Sequence, residues 1–189
     1  MHRGRTLDVV VSAEILEAHW ERIVEPERFA SACLVAEYVD AFCEPDLALA
    51  DVYSLLTGAL HAIETTQQPL ALMARFSLRL LSALGLAPPG DRCIRCGAPL
   101  TNGAWLDLEQ GGFAGAECRE RWRDALTLNE DELKNLVALL APPGDARKAT
   151  RHALPMVEKS VRRLMAFHLG RKPKSGGHAA SLVHGAPGA

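Results

Sequence analysis

The stretch CIRCGAPLTNGAWLDLEQGGFAGAEC, residues 93–118, constrains this chain more than any other. Cys93 and Cys96 stand two residues apart, with Gly97 next. That spacing lets both thiolates reach one tetrahedral ion, and the glycine allows the tight turn. The residues between fit a hairpin, with Trp105 and Leu106 on one arm, Gly111 and Gly112 at a turn, and Phe113 on the other arm. The second arm returns Cys118 towards the first pair. A zinc ribbon closes with a second C-x-x-C, but here Gly115 stands where its first cysteine belongs. Three sulfurs can converge, so zinc held by Cys93, Cys96 and Cys118 needs a fourth donor: a water, Glu117, Asp107, His168 or Cys43. The alternative is a metal-free hairpin held by Trp105, Phe113 and its packing on helices. A redox role for CIRC is the weaker reading, because PPGD and GAPL flank it with turn chemistry where a thioredoxin-type motif needs a strand and a helix.

The rest of the chain reads as helices. Aromatics make up 5% of the residues while Ala and Leu abound, which favours helix over sheet. SAEILEAHWERI, from Ser12, predicts a first helix ending at Pro26. ERFASACLVAEYVDAFC (27–43) is apolar almost all round and predicts burial on several sides, with Cys33 and Cys43 as core or near-core thiols. Val52, Leu55, Leu56, Ala59 and Ile63 mark a third helix over 46–66. A fourth over 69–86 starts at Pro69, ends near Gly85 and carries the stripe Met73, Phe76, Leu80, Leu84. Asn129 with Glu132 three residues on predicts a capped start for the helix within 127–141. A last helix over 147–169 is interrupted or begins afresh near Pro155, and 176–189 is expected to be a disordered tail. The fold class is therefore mainly α: a helical bundle with a zinc-ribbon-like β-hairpin inserted at 91–120.

Charge is divided along the chain. Residues 1–144 hold 12 Lys+Arg against 21 Asp+Glu, whereas residues 145–189 hold 9 against 2. A basic end on an acidic body points to a polyanion or an acidic peptide as partner. Lys159, Arg162 and Arg163 share one helix face, and Arg171, Lys172 and Lys174 extend the charge past the helix end. Arg147, Lys148 and Arg151 precede them, and Arg3 and Arg5 add to the count at the other terminus. A solvated basic face is the plain alternative. Arg75 and Arg79 read as a solvated helix face or, with Phe76, Arg123 and Trp122, as candidate parts of a peptide groove. No run of about 18 apolar residues predicts a membrane span. The five cysteines follow no signal-peptide pattern, so a reducing cytoplasm is expected. No metalloprotease helix, phosphate-binding loop, nucleophile elbow or dinucleotide fingerprint is present, so no catalytic residue is assigned.

The order of these features resembles one family. MARFSLRLLSALGLAPPGDRCIRCG, then GGFAGAECRERW, then FHLGRKPKS, look like the RecO family of bacterial DNA repair proteins, over roughly residues 3–175. RGRTLDVVVSAEI is similar to that family's junction between an N-terminal OB-fold barrel and its first helix. The resemblance implies residues 1–11 as a residual last barrel strand and 12–175 as the helical domain, with most of the barrel absent. A misplaced start at Met1 is the favoured expectation. It further implies a recombination mediator in the bacterial cytoplasm, associated with the nucleoid. Such a protein binds single- and double-stranded DNA, anneals strands, contacts the tail of the single-stranded-DNA-binding protein SSB, and works with RecR to load RecA. An adaptor that binds the SSB tail or RecR with little DNA binding of its own is the alternative, and a generic helical zinc-ribbon module a third. Gly115 departs from the family's cysteine pattern, which bears on the metal.

Overall fold

The computed structural model describes residues 9–16, 18–43, 49–118, 126–141 and 151–175. Five helices form there: α1 (Pro26–Phe42), α2 (Ala50–Thr65), α3 (Pro69–Ala83), α4 (Glu130–Leu140) and α5 (Leu154–Leu169). Three short strands, β1 (Ala104–Asp107), β2 (Gly112–Ala114) and β3 (Thr127–Leu128), lie between α3 and α4 in the chain.

Helix α3 is the hub and packs against the other four helices. Its residues are buried on most sides: Met73, Ala74, Phe76, Ser77, Leu78, Leu80 and Leu81. Proline occupies its first turn, where the missing N–H costs no helical bond. At its end Gly85 takes a positive φ of 73°, the Gly85 N–H donates to Ser82 O, and the Leu86 N–H donates to Leu81 O at 2.7 Å. This double closure satisfies carbonyls that the helix leaves open. Helix α4 starts as its sequence predicts: the Glu132 N–H donates to Asn129 Oδ1 and the Asn129 N–H to Glu132 Oε2. Helix α5 begins afresh at Leu154 with Pro155 in its first turn, and its Val157, Val161, Leu164 and Met165 enter the core.

Two expectations need correction. Among the described residues the helix predicted from Ser12 does not form; a 3-10 turn at His19–Glu21 stands there. A helix that short depends on burying an apolar face, and Ile15 and Leu16 remain 67% and 88% exposed. Among the described side chains of that segment, Ile23 reaches the core. Helix α1, expected to be buried on several sides, buries one face: Ala30, Ser31, Leu34, Val35 and Tyr38 face the bundle, while Phe29 stays exposed. Pro26 opens α1 from its first turn. Cys33 and Cys43 are half-buried, and Cys43 packs against the core. The expected barrel strand falls largely outside the described residues, and Val9–Val11 within them show one bridge position and exposed side chains. The expected tail at 176–189 lies wholly outside them.

The insertion is a three-stranded antiparallel sheet in the order β2-β1-β3. Leu106 pairs with Phe113, and Trp105 with Ala114. Because successive side chains alternate faces, Leu106 and Phe113 join the main core, whereas Trp105 and Ala114 form a second cluster with Cys93. The sheet thus binds the bundle with one face and carries the cysteines on the other. Gly103 is required beside β3, since a Cβ there would collide with Leu128 O.

Candidate metal centre and basic surface

The first pair of cysteines sits on a loop closed by its own backbone. The Cys93 N–H donates to Ala98 O at 2.8 Å, and the Gly97 N–H donates to Cys93 O at 2.9 Å. An Arg92–Pro99 bridge closes the loop's base, and the Ile94 N–H donates to Phe113 O at 2.8 Å, which fastens the loop to β2. After β2 the chain passes Gly115 into a 3-10 turn, Ala116–Cys118, where the Cys118 N–H donates to Gly115 O at 3.0 Å. The Trp105 Nε1–H holds the same carbonyl at 3.0 Å.

This framework brings Cys93, Cys96 and Cys118 together, their sulfurs all within 4.8 Å of one another. Thiolates bound at about 2.3 Å to one ion lie within about 4.6 Å of each other, so the three donors fit a thiophilic cation. Cys93 is buried, Cys118 half-buried and Cys96 exposed. Burial alone would push the Cys93 thiol up, but N–H groups of Gly115, Cys96 and Arg95 and the Cys96 thiol outweigh it and lower the pKa to about 7. The Gly115 N–H stands 3.4 Å from that sulfur. Cys118 is pushed up to about 12, first by its hydrogen bonds with Cys96 and Cys93. A cation must displace thiol protons to bind here.

Asp107, Glu117, His168 and Cys43 do not join this group among the described residues. Asp107 is already engaged: it is buried, pairs with Arg95 Nε, and accepts the Glu109 and Gln110 N–H groups at 3.1 and 3.2 Å. His168 instead stands over Gly111 at the hairpin turn. Arg95, which no sequence motif singled out, links the two parts of the site. Its guanidinium lies 5.5 Å from the centre of the Trp105 ring while it pairs with Asp107.

The late cations divide into two groups. Arg162 and Arg171 are engaged: Arg162 Nε lies 3.2 Å from Glu158, and Arg171 lies 3.2 Å from Glu37 on α1. Glu37 also accepts the Lys174 and Ser175 N–H groups at 2.7 and 2.8 Å. Sequence reasoning missed Glu37 because it lies 134 residues from Arg171. Lys159, Arg163, Lys172 and Lys174 are exposed, and their side chains meet no carboxylate among the described residues. Arg151 is exposed too; Arg3, Arg5, Trp122, Arg123, Arg147 and Lys148 lie outside the described residues.

A groove of about 680 Å³ runs between α2 and α3. Leu55, Leu72, Phe76 and Leu78 line it, together with half-buried Arg75 and Arg79 and exposed Asp51. Among the described residues neither arginine has an anionic partner, and desolvation with the charge of Arg79 lowers the pKa of Arg75. No helix of the described residues is long and apolar enough to cross a membrane.

Residues 24–176 match the family model described as "Recombination protein O C terminal". A protein of Heliobacterium modesticaldum named "DNA repair protein RecO" is 31% identical over 169 residues, covering 87% of this chain and 56% of its own length. One of Symbiobacterium thermophilum with the same name is 30% identical over 174 residues, covering 89% of this chain and 68% of its own length. One of Desulforudis audaxviator is 29% identical over 178 residues, covering 93% and 71%. The chain thus spans little more than half the length of the first of these relatives.

Proposed function

This chain belongs to the RecO family, and on that premise we propose that it serves DNA repair and recombination as a non-enzymatic mediator at the bacterial nucleoid. In this role it binds single- and double-stranded DNA, promotes annealing of complementary strands, and helps RecR and SSB to load RecA. The observation that carries the reading is the exposed cation set Lys159, Arg163, Lys172 and Lys174 on α5 and just past its end, with no carboxylate against it among the described residues. Cations already held by carboxylates contribute less, because a phosphate must displace the partner. Each lysine or arginine that docks on a phosphate releases a condensed counterion. Annealing asks for this screening of two polyanions and for no bond to be made or broken by the protein.

The test is DNA binding by the variant Lys159→Glu, Arg163→Glu, Lys174→Glu across a salt series. Weaker binding is expected, with the slope of log K against log salt reduced by about 2–3 for three lost phosphate contacts. An unchanged affinity and slope refute the assignment.

The groove between α2 and α3 favours a second reading, the adaptor. Two half-buried arginines that pair with no carboxylate among the described residues, beside an apolar floor and with exposed Asp51 at the groove's wall, suit a peptide that is acidic and ends in apolar residues, as the SSB tail does. A labelled acidic peptide with an apolar C-terminus should bind the chain and lose affinity in Arg79→Glu. Binding that ignores this change rules the groove out.

The cysteine group completes the proposal: Cys93, Cys96 and Cys118 would hold zinc. When bound, zinc supplies a cross-link between the first loop and the turn after β2. The chain's own residues do the positioning, through the Cys93–Ala98, Ile94–Phe113 and Trp105–Gly115 hydrogen bonds.

A further inference from the structure

The cysteine group carries one step more, and it rests on the zinc reading above. A closed structural zinc site has four protein donors, and three sulfurs form the group among the described residues. Gly115 stands where a fourth cysteine would complete the pattern, and its backbone is not in the left-handed region. A Cβ built at Gly115 meets only Leu100 Cδ2, at an ordinary contact distance of 3.4 Å. Space for a side chain therefore exists and is not filled. Cys93, Cys96, Cys118, Gly115 and Leu100 all line one cavity of about 430 Å³. A water molecule in liquid takes about 30 Å³, so the cavity admits a larger donor. Thr101, Asn102 and Thr127 add polar groups to its wall, and exposed Glu117 lines it too, without joining the sulfur group. Cys96 is exposed, so the site is reached from solvent.

We infer that the ion held by Cys93, Cys96 and Cys118 keeps one coordination position open to this cavity, and that the position takes a small thiolate from solution. Three thiolates suit a thiophilic ion, and four-sulfur coordination is a usual closed form of such a site. The exchange balances simply: the incoming thiol gives its proton to solvent, its sulfur binds the ion, and a water leaves. No electron is transferred. The consequence is a metal site that reports on, or is exchanged by, low-molecular-weight thiols, in place of an inert staple.

The experiment uses the full chain reconstituted without oxygen with one equivalent of Co²⁺, whose near-ultraviolet thiolate band grows with the number of sulfurs bound. One ion per chain is expected. Adding 2-mercaptoethanol should raise that band by about one third, the step from three sulfurs to four, and should act at lower concentration than imidazole. The Gly115→Cys variant should show the larger band without added thiol, stay unmoved by it, and hold zinc at least about tenfold tighter against a chelator. One bound ion with a band that thiol does not move overturns the open position while leaving the metal reading intact. Imidazole acting before the thiol overturns the preference for sulfur. Failure to bind any ion overturns both. The wild-type titration decides the matter even if Gly115→Cys misfolds.

Discussion

Glu37→Gln tests how the basic end of the chain is held. The Glu37 carboxylate accepts two backbone N–H groups, from Lys174 and Ser175, and pairs with Arg171. Burial raises its pKa, but those contacts more than offset it and bring the value from 4.5 to about 2. At about 1.36 kcal/mol per pH unit the difference corresponds to about 3 kcal/mol at most. The Arg171 partner is half exposed, with 48% of its side chain accessible, so solvent screening leaves about 1–2 kcal/mol. The sign follows from the depressed value. The contribution is complete above pH 4.5 and is lost as pH falls from there through about 2. Amide hydrogen exchange reads it directly. At neutral pH, Glu37→Gln should speed exchange at Lys174 and Ser175 by about 5–30-fold, with Leu164 in the core unchanged. The wild-type protein, corrected for intrinsic rates, should lose the same protection between pH 4.5 and about 2, and the variant should show no such step. Equal protection of Lys174 and Ser175 in both proteins at neutral pH refutes the reasoning.

Two further outcomes concern stability. Leu164→Ala, at a fully buried position of α5 facing the core, should destabilise the domain by about 2–5 kcal/mol in chemical denaturation. Asn129→Ala removes one half of the capping box of α4 and should cost about 0.5–2 kcal/mol in the same measurement.

Much of the helical layout was legible because its signals are local. Pro69 and Gly85 bound α3, Asn129 and Glu132 start α4, and Pro155 lies in the first turn of α5. The hairpin arms around Gly111 and Gly112 were legible for the same reason. The segment from Ser12 was misread because its pattern says that it could form a helix, not that anything lies there to bury Ile15 and Leu16. Strand β3, just before the Asn129 cap, carries no signal of its own, since Thr127 and Leu128 pair with β1 only after the chain has folded back. Within the candidate site, the spacing of Cys93 and Cys96 was legible, but the roles of Arg95 and Glu37 were not. Glu37 meets Arg171 across 134 residues, and no periodicity records such a contact.

The sequence by itself determined helices α1–α5, the two-residue spacing of the first cysteines, the glycine at position 115 and the division of charge between body and end. These depend on backbone propensity and on residues within a turn of one another. Tertiary structure alone decided that Cys118 reaches Cys93 and Cys96, that Asp107 is taken by Arg95, and that Arg162 and Arg171 are held while Lys159 and Arg163 are left exposed. Those outcomes follow from which faces the core buries, and burial is settled by the whole chain at once.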